Sequence, residues 1–357
     1  MPKKTIHLAE TYRLEILDKD GHADESLIPD LSNDQMVKLY RDMVEMRKLD
    51  EKTLKLQRQG RVGTYGALRG QEAAQAGLAM AMKKGDWAVP SFREHGIMKM
   101  MGIAPHQILA YWKGDPRGAS FPTDINCLPQ SVVVGSQLLH AAGIGMALRM
   151  KKDNAVAIGF AGDGGSSEGD FHEALNFAGV FKARTVFFIQ NNQWAISLPF
   201  KKQTAAASIA QRAHGFGIDG IQVDGNDVLA SYVASKQALD QVRSGGKPFL
   251  IEALTYRMEN HTTADDASKY RSEEEVKYWE DRDPIKRMKA FLMSKKLWDE
   301  EKEKTMLDEV TAMVDGEVQK LEAMSPPEPS LLFDHMYGEL PWNLKEQRDE
   351  LLREVSK

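Results

Sequence analysis

Two short polar motifs in the middle of the chain carry side chains suited to metal and phosphate chemistry. The sequence GDGG occupies positions 162–165, and NN occupies positions 191–192. A carboxylate such as Asp163 and an amide oxygen such as that of Asn192 suit Mg²⁺, which takes hard oxygen ligands and often shares them with phosphate. The glycines let backbone N–H groups approach phosphate oxygens, as does the N-terminus of a following helix. Either motif alone could be an ordinary turn or polar loop, but the pair predicts a site for magnesium and phosphate.

Both motifs follow apolar runs that predict buried strands, AVAIGF (155–160) and TVFFIQ (185–190). Strands separated by helices pair in parallel and form a sheet that is covered on both faces. The handedness of such crossovers then predicts a doubly wound, mostly parallel α/β fold, in which ligands bind beyond the carboxyl ends of the strands. Asp163 and Asn192 would therefore reach the same edge of the sheet. Further strands are predicted at 221–225 and 248–257, and helices at 71–82, 168–181 and 228–242.

The chain divides into three parts by composition. Residues 1–35 are polar and predict an N-terminal arm, and residues 36–324 predict one α/β domain with helical flanks. Ser32 is suited to cap the first helix, because hydrophobic residues recur behind it with helical spacing. Residues 325–357 begin with the linker SPPEPS and continue as an amphipathic tail, so that a helical C-terminal extension follows the sheet.

Composition excludes several classes of function. The 357 residues are 42% hydrophobic and 28% charged, which is ordinary for a globular chain able to bury a core. A net charge of −5 argues against a nucleic-acid partner, and no uncharged apolar segment approaches the length of a membrane helix. Cys127 is the one cysteine, so no disulfide forms within the chain. Because the N-terminus has no apolar core for a signal peptide, we expect a cytoplasmic enzyme, or a mature chain whose targeting segment is missing.

The stretches that contain the two motifs, GDGGSSEGDFHEALNFAGVF and FFIQNNQWAIS, resemble the thiamine-diphosphate motif of the alpha subunits of 2-oxo acid dehydrogenases. Five further segments are similar to the same family, so that the resemblance covers roughly residues 35–345; they are RGQEAAQAGLA, PSFREHG, IQVDGNDVLASY, LIEALTYRMENHTTADDASKYRS and ELPWNLKEQ. The resemblance implies an enzyme that decarboxylates a 2-oxo acid oxidatively and transfers the acyl group to a lipoyl group. PTDINCLPQSVVVGSQ resembles the pyruvate type of bacteria, so pyruvate is the favoured substrate.

The resemblance implies a role for each matching residue. For Mg²⁺ it implies three protein ligands, namely the carboxylate of Asp163, the side chain of Asn192 and the backbone carbonyl of Trp194. His261 matches the catalytic histidine of the family and also one of the residues that contact thiamine diphosphate. The implied cofactor-binding residues are Arg93, Val132, Val134, Gly162, Gly164, Gly165, Gln190 and His261.

By their chemistry alone, two of these residues have plainer interpretations. Arg93 could form a surface salt bridge, whereas the resemblance assigns it to the diphosphate, which suits its fork of donors. His261 could be a solvated loop residue, whereas the resemblance gives it a role in proton transfer or charge stabilisation, for which an ordinary pKa of about 6.5 is suited. The polar stretch 259–274 predicts a mobile loop at the mouth of the site. Within it, the pair Tyr270-Arg271 is similar to a pair that orders this loop in the family, with an ordinary surface role as the alternative.

Three positions depart from the family. Phe92 stands where relatives usually have tyrosine, so one hydroxyl contact to phosphate is lost. Gln190 precedes NN where some relatives have arginine. Thr64 occupies a place where many relatives carry phenylalanine near the substrate, which puts the preferred 2-oxo acid in doubt. Thr262 stands where some relatives carry a regulatory serine, and we expect that it is not phosphorylated.

The resemblance also implies protein partners. Thiamine catalysis needs a carboxylate against the aminopyrimidine ring, and the family carries that glutamate on a separate beta subunit. We therefore expect an α2β2 heterotetramer that passes its acyl group to a lipoyl-bearing dihydrolipoyl acyltransferase. The segment 132–150 is rich in glycine and alanine, which permits close backbone approach, and it is interpreted equally as an interface helix or as an internal core helix.

Two other functions stay open. The first is a branched-chain 2-oxo acid dehydrogenase alpha subunit, because YRSEEEVKYW resembles that type. The second is a non-catalytic nucleotide-binding or scaffolding protein with the same α/β fold. The sequence lacks G-x-x-x-x-G-K-[ST], which weakens the nucleotide-binding interpretation.

Overall fold

A six-stranded parallel sheet forms the centre of the molecule in a computed structural model, which describes residues 3–5 and 9–356. The strands are β1 (Arg13–Leu14), β2 (Trp87–Val89), β3 (Ala157–Gly162), β4 (Thr185–Asn191), β5 (Trp194–Ala195), β6 (Leu198–Pro199), β7 (Asp219–Asp224) and β8 (Phe249–Leu254). The sheet has the order β1-β7-β8-β4-β3-β2, and every neighbouring pair is parallel. β5 and β6 form a separate antiparallel ladder. The predicted mostly parallel α/β fold is confirmed.

Helices cover both faces of the sheet, as parallel crossovers require. They are α1 (Asn33–Arg58), α2 (Glu72–Ala81), α3 (His95–Met100), α4 (Pro105–Lys113), α5 (Ser136–Met150), α6 (Gly169–Phe181), α7 (Val228–Arg243), α8 (Glu273–Glu280), α9 (Pro284–Ser294), α10 (Glu300–Ala323), α11 (Leu331–Asp334) and α12 (Trp342–Val355). Successive side chains of β4 point to opposite faces. Val186 and Phe188 pack in the core cluster that includes α1, α2 and α7, whereas Phe187 and Ile189 pack with α5 and α6. The sheet thus divides the core into two layers.

The predicted elements agree with the observed ones to within a few residues. Ser32 caps α1 through a capping box: its side chain accepts from the Gln35 N–H at 3.2 Å, and the Gln35 side chain accepts from the Ser32 N–H at 2.8 Å. β3 begins two residues later than predicted, because the Ala155 N–H donates to the Asp153 carboxylate at 2.9 Å and stays in a turn. The strand ends at the residue before Asp163, which is where a ligand-binding side chain is expected.

The N-terminal arm contributes the edge strand β1, which the sequence did not predict. β1 pairs in parallel with β7, and Asp227 at the start of α7 holds the chain that follows β1. The buried Asp227 carboxylate accepts the Ile16 and Leu17 backbone N–H groups at 2.7 and 2.6 Å, and it also caps α7. One carboxylate therefore joins the arm to the sheet. Residues 1–2 and 6–8 of the arm lie outside the described residues.

The C-terminal extension is helical and lies outside the sheet. α9 and α10 pack against α1, whereas α11 and α12 have no buried residue. The division of the chain after residues 35 and 324 stays a prediction. Every helix in the described part of the chain is too short or too polar to cross a membrane.

α5 carries the small residues of the segment 132–150 on two different sides. Towards the sheet, a Cβ on Gly145 would lie 2.1 Å from the Thr185 hydroxyl oxygen, so only glycine fits there. On the outer side, a Cβ on Gly143 would have no neighbouring segment within 4 Å. One side of the helix therefore belongs to the core, and the other is free to meet a partner.

We expect Gly77→Ala to destabilise the fold. Gly77 lies where α2 packs on α7, and an added Cβ would lie 2.7 Å from the Tyr232 nitrogen and 2.8 Å from the Val228 carbonyl oxygen, both of them backbone atoms. Overpacking of this kind lowers the free energy of unfolding by about 1–3 kcal/mol. The matched control is Gly316→Ala in α10, where a Cβ meets nothing within 4 Å and is expected to stabilise by up to about 1 kcal/mol. Urea unfolding measures the stability of both variants, and equal unfolding midpoints would contradict the close contact at Gly77.

Candidate active site

A cavity of about 550 Å³ opens at the carboxyl ends of β3 and β4. That volume lies in the range of cofactor and small-molecule sites. Every site residue predicted from the sequence lies in its wall, although these residues come from distant parts of the chain. They are Arg93, Val132, Val134, Gly162, Asp163, Gly164, Gly165, Gln190, Asn192, Trp194 and His261.

Three oxygen atoms converge in the wall of this cavity. Asn192 Oδ1 lies 3.2 Å from Asp163 Oδ1 and 3.2 Å from the Trp194 carbonyl oxygen. Oxygens at this distance repel one another unless a cation lies among them or the amide turns to present its nitrogen. A carboxylate, an amide oxygen and a backbone carbonyl form a donor set that fits Mg²⁺.

Gln203 positions the Asp163 carboxylate and was not predicted from the sequence. Its Nε2 donates to Asp163 Oδ2 at 2.6 Å, while Oδ1 is turned towards Asn192. Burial raises the pKa of Asp163 to about 6, and the hydrogen bond from Gln203 opposes that rise. A cation beside Oδ1 would lower this pKa, because a nearby opposite charge favours the ionised carboxylate.

A strained turn presents the Trp194 carbonyl to the cavity. Gln193 and Ile196 have φ values of 74° and 55°, which residues with a side chain rarely adopt. Asn191 supports the turn: its Oδ1 accepts from Gln193 Nε2 at 2.7 Å, and its Nδ2 donates to the buried Glu252 carboxylate at 2.7 Å. Backbone strain of this kind persists where the surrounding structure fixes it, and it clusters at functional sites.

The glycines of the GDGG motif lie against other backbone segments. A Cβ on Gly164 would lie 2.9 Å from Ala195 Cβ, and one on Gly165 would lie 2.9 Å from Ala161 Cβ, so neither position accepts a side chain without movement. The nearest atom to a Cβ on Gly162 is 3.8 Å away. The motif continues as a short 3₁₀ turn before α6. Because glycine has no side chain of its own, these positions let backbone N–H groups approach a phosphate.

Two buried arginines meet at His261. Arg93 is 5% exposed, so the alternative of a surface salt bridge is wrong. Its Nη2 lies 3.0 Å from His261 Nδ1, and Nη1 of Arg257, which was not predicted as a site residue, lies 3.3 Å from the same nitrogen. The other partners of the two guanidiniums in the described part of the chain are backbone carbonyls and the Tyr270 hydroxyl. Buried cations without a carboxylate partner fit a phosphorylated anion.

These surroundings keep the His261 ring neutral. Burial, Arg93 and Arg257 lower its pKa to about 4, which corrects the ordinary value expected from the sequence. Burial and Arg257 also lower the pKa of Arg93, to about 10. Because both guanidiniums donate to His261 Nδ1, that nitrogen is the acceptor and the proton of the neutral ring is on Nε2. An anion bound to the arginines would raise the pKa of His261, since it would offset their positive charge.

Three predicted residues have contrasting surroundings. Val132 and Val134 line the cavity, but their side chains are 58% and 42% exposed, so they form its open rim. Gln190 is buried, donates from Nε2 to Glu94 at 2.7 Å and accepts from Gln75 at 3.1 Å. Burial raises the pKa of Glu94 to about 7. Gln190 therefore joins the cavity wall to a polar network behind it.

The loop that carries His261 is fastened by its own polar side chains. The His261 N–H donates to Asp265 at 2.7 Å, and the Tyr270 hydroxyl also donates to Asp265. Arg271 donates to the Arg257 carbonyl oxygen at 2.5 Å. These contacts are compatible with a loop-ordering role for Tyr270 and Arg271, and that role and the mobility of the loop stay predictions.

Comparison with known proteins identifies the family. The profile of the family described as Dehydrogenase E1 component matches residues 40–330, which include every cavity residue named above. This chain belongs to that family. Because E1 components depend on thiamine diphosphate, membership confirms the resemblance seen in the sequence and favours an enzyme over a non-catalytic scaffold.

Curated relatives of this E1 chain match nearly its whole length. The pyruvate dehydrogenase E1 component subunit alpha of Acholeplasma laidlawii is 44% identical over 336 residues, which cover 93% of this chain and 97% of the relative. The protein of the same name from Staphylococcus aureus (strain Mu50) is 41% identical over 346 residues, which cover 96% of this chain and 94% of the relative. The 3-methyl-2-oxobutanoate dehydrogenase subunit alpha of Mycobacterium tuberculosis (strain H37Rv) is 44% identical over 332 residues, which cover 92% of this chain and 89% of the relative.

We expect the pKa of His261 to be about 4 in the free chain and to rise when inorganic diphosphate binds between Arg93 and Arg257. The direction follows because a bound anion favours the protonated ring. NMR of protein labelled at histidine Cε1, titrated with and without diphosphate, measures both values. His261→Gln assigns the signal by removing it. A pKa that diphosphate leaves unchanged would show that the arginines do not form the anion site.

Proposed function

We propose that this chain is the alpha subunit of a pyruvate dehydrogenase E1 enzyme, which decarboxylates pyruvate oxidatively and transfers the acetyl group to a lipoyl group. The observation that carries the proposal is the pair of buried guanidiniums beside three converging oxygens, an arrangement that fits a diphosphate with a divalent cation. The names of two relatives that cover more than nine-tenths of the chain support pyruvate as the substrate.

The proposed ligand of the cavity is thiamine diphosphate with Mg²⁺. Mg²⁺ would be held by the side-chain oxygens of Asp163 and Asn192 and by the Trp194 carbonyl. The cofactor would be held by Arg93, Val132, Val134, Gly162, Gly164, Gly165, Gln190 and His261. When bound, thiamine diphosphate supplies the electron sink for decarboxylation, and the protein supplies binding, orientation and electrostatics.

His261 is the proposed catalytic residue of this chain. Its ring lines the cavity and carries its proton on Nε2, since the arginines occupy Nδ1. A diphosphate that offsets the charge of Arg93 and Arg257 would raise the pKa of the ring, so that it can hold a second proton near the reacting groups. From the loop at the mouth of the cavity, His261 is placed to donate its Nε2 proton to a lipoyl sulfur during acyl transfer, which leaves the ring neutral with its remaining proton on Nδ1.

An exposed apolar surface beside the cavity supports the proposed beta subunit. Val133, which precedes α5, and Met150, at the end of α5, are 68% and 82% exposed, and Phe177 and Val180 are exposed on the neighbouring α6. Val132 belongs both to this surface and to the cavity rim, so a subunit docked here would complete the cavity wall. Exposed apolar side chains on neighbouring elements are a feature of protein interfaces. We propose an α2β2 assembly, with a lipoyl-bearing dihydrolipoyl acyltransferase as the acceptor.

A branched-chain 2-oxo acid is the second candidate substrate. One relative with 44% identity is named for 3-methyl-2-oxobutanoate. Thr64 lines the cavity without filling it as an aromatic ring would. The name of the relative makes a branched acid a candidate, and the small Thr64 leaves space for a larger acyl group. Substrate competition separates the two candidates.

We also propose a cytoplasmic location. The single cysteine, Cys127, is buried, and burial raises its pKa to about 12. A thiol in this state is inert, and the lack of a second cysteine for a disulfide within the chain fits a reducing compartment.

We expect activity only when this chain is co-expressed with its beta subunit. The complex should oxidise pyruvate with an artificial electron acceptor, whereas the isolated chain should be nearly inactive, because it lacks the proposed glutamate. The comparison measures kcat/KM for pyruvate and for 3-methyl-2-oxobutanoate. A higher value for the branched acid would establish the second candidate. Full turnover by the isolated chain would overturn the two-subunit site.

We expect Gln203→Ala to weaken Mg²⁺ binding in the assembled enzyme by roughly tenfold. Hydrogen-bond partners of metal ligands typically contribute about 10–100-fold to metal affinity, because they fix the ligand's orientation. Titration calorimetry with Mg²⁺ at saturating thiamine diphosphate measures the change. Gln211→Ala, at an exposed glutamine of the same segment, is the matched control. Equal affinities in the two variants would remove Gln203 from the metal site.

A further inference from the structure

The cavity has an aromatic wall that the cofactor assignment leaves unused. Thr64, Phe92 and Trp112 line it together, and none of them carries a charge. The proposed diphosphate and Mg²⁺ occupy the part formed by the arginines and the three oxygens. The uncharged wall therefore remains for the uncharged parts of the ligands, among them the side chain of the substrate.

The backbone places Trp112 beside Thr64. The Gly63 N–H donates to the Trp112 carbonyl oxygen at 2.7 Å. A Cβ on Gly63 would lie 2.9 Å from that same oxygen, so the approach needs glycine. The end of α4 and the loop before α2 are thus fixed to each other at the residue that precedes Thr64.

A directed chain of hydrogen bonds holds the Trp112 ring. The indole Nε1 can only donate, and it lies 3.0 Å from His95 Nε2, so this nitrogen of His95 accepts. The proton of the neutral His95 ring is then on Nδ1, which lies 3.2 Å from the Tyr65 hydroxyl. Tyr65 in turn donates to Asp50 Oδ1 at 2.7 Å, and Asp50 also accepts from the Leu68 N–H at 2.9 Å. At each of these contacts one group donates and the other accepts, so this series of hydrogen bonds defines one orientation of the indole.

Aromatic packing supports that orientation. Trp112 meets Tyr65 edge to face at 5.3 Å between ring centroids and His95 at 5.6 Å, and the latter two rings stack at 5.0 Å. Burial and Arg93 lower the pKa of His95 to about 3, so the ring stays neutral at neutral pH. The indole is a fixed wall of the cavity.

We propose that the Trp112 ring limits the size of the 2-oxo acid side chain that this site accepts, in the space that the small Thr64 leaves beside it. The inference rests on the proposed decarboxylation of 2-oxo acids. Because hydrogen bonds and aromatic packing hold the indole in place, the ring cannot move away to accommodate a larger acyl group. Removing the ring should therefore admit longer and branched acids, whichever acid the natural enzyme prefers.

The test uses the assembled enzyme with Trp112→Ala and Trp112→Leu. Values of kcat/KM are measured for pyruvate, 2-oxobutanoate and 3-methyl-2-oxobutanoate with an artificial electron acceptor. Both variants should raise the ratio of the branched acid to pyruvate by about tenfold or more, because each methylene that a pocket accepts or rejects changes specificity by about 10–200-fold. Thr64→Phe should shift the ratio in the opposite direction, since it adds a ring to the same wall.

A variant at a tryptophan away from the cavity is the control that distinguishes a change in substrate specificity from general destabilisation. Trp298→Ala removes a buried indole whose Nε1 donates to Glu303 at 2.7 Å, and it should leave the substrate ratio unchanged. If the Ala variant does not assemble, the Leu variant decides. A ratio within about twofold of the natural one, or an equal fall for all three acids, would overturn the role of Trp112. Absence of decarboxylation by the natural complex would instead refute the proposed function.

Discussion

The guanidinium groups of Arg93 and Arg257 are buried beside each other, and a buried charge is costly unless hydrogen bonds replace its water. Backbone carbonyls provide much of that replacement. Arg93 donates to the Ala67 carbonyl at 2.7 Å and to that of His261, while Arg257 donates to the Ile196 carbonyl at 2.8 Å. These carbonyls belong to the loop before α2, the loop of His261 and the turn that presents the Trp194 carbonyl. The need of two cations for acceptors thus brings three separate segments to one place.

The parallel sheet determines which side chains can join this arrangement. β3, β4 and β8 are neighbours in register, with Gly162 opposite Gln190 and Asn191 opposite Leu254. Because all three strands end at the same edge, the residues that follow them meet there. Asp163 follows the first, Asn192 the second and Arg257, three residues on, the third. The register of these strands therefore brings the side chains of Asp163, Asn192 and Arg257 together.

Residues next to strong local signals could be predicted, and residues that act through distant contacts could not. Asp163 and Asn192 follow long apolar runs, so their position at the sheet edge was evident. Gln203 lies in an irregular segment without periodicity, and its only distinguishing property is a hydrogen bond to a carboxylate forty positions away. Arg257 reads as the end of a strand. The pKa of His261 depends on two arginines, one of them distant in sequence, and so could be known only once the chain was folded.

β1 has a bearing on how the chain emerges from the ribosome. Arg13 pairs with Gln222, so the arm is made early but its position on the sheet exists only after β7 has been synthesised. At about 5–20 residues per second, the arm waits on the order of ten seconds or more before its partner strand appears. An unpaired strand in a nascent chain invites pairing with other chains, and short strands do so least. The two-residue length of β1 therefore protects the unfinished protein from aggregation, while the Asp227 carboxylate supplies the attachment that so short a ladder lacks.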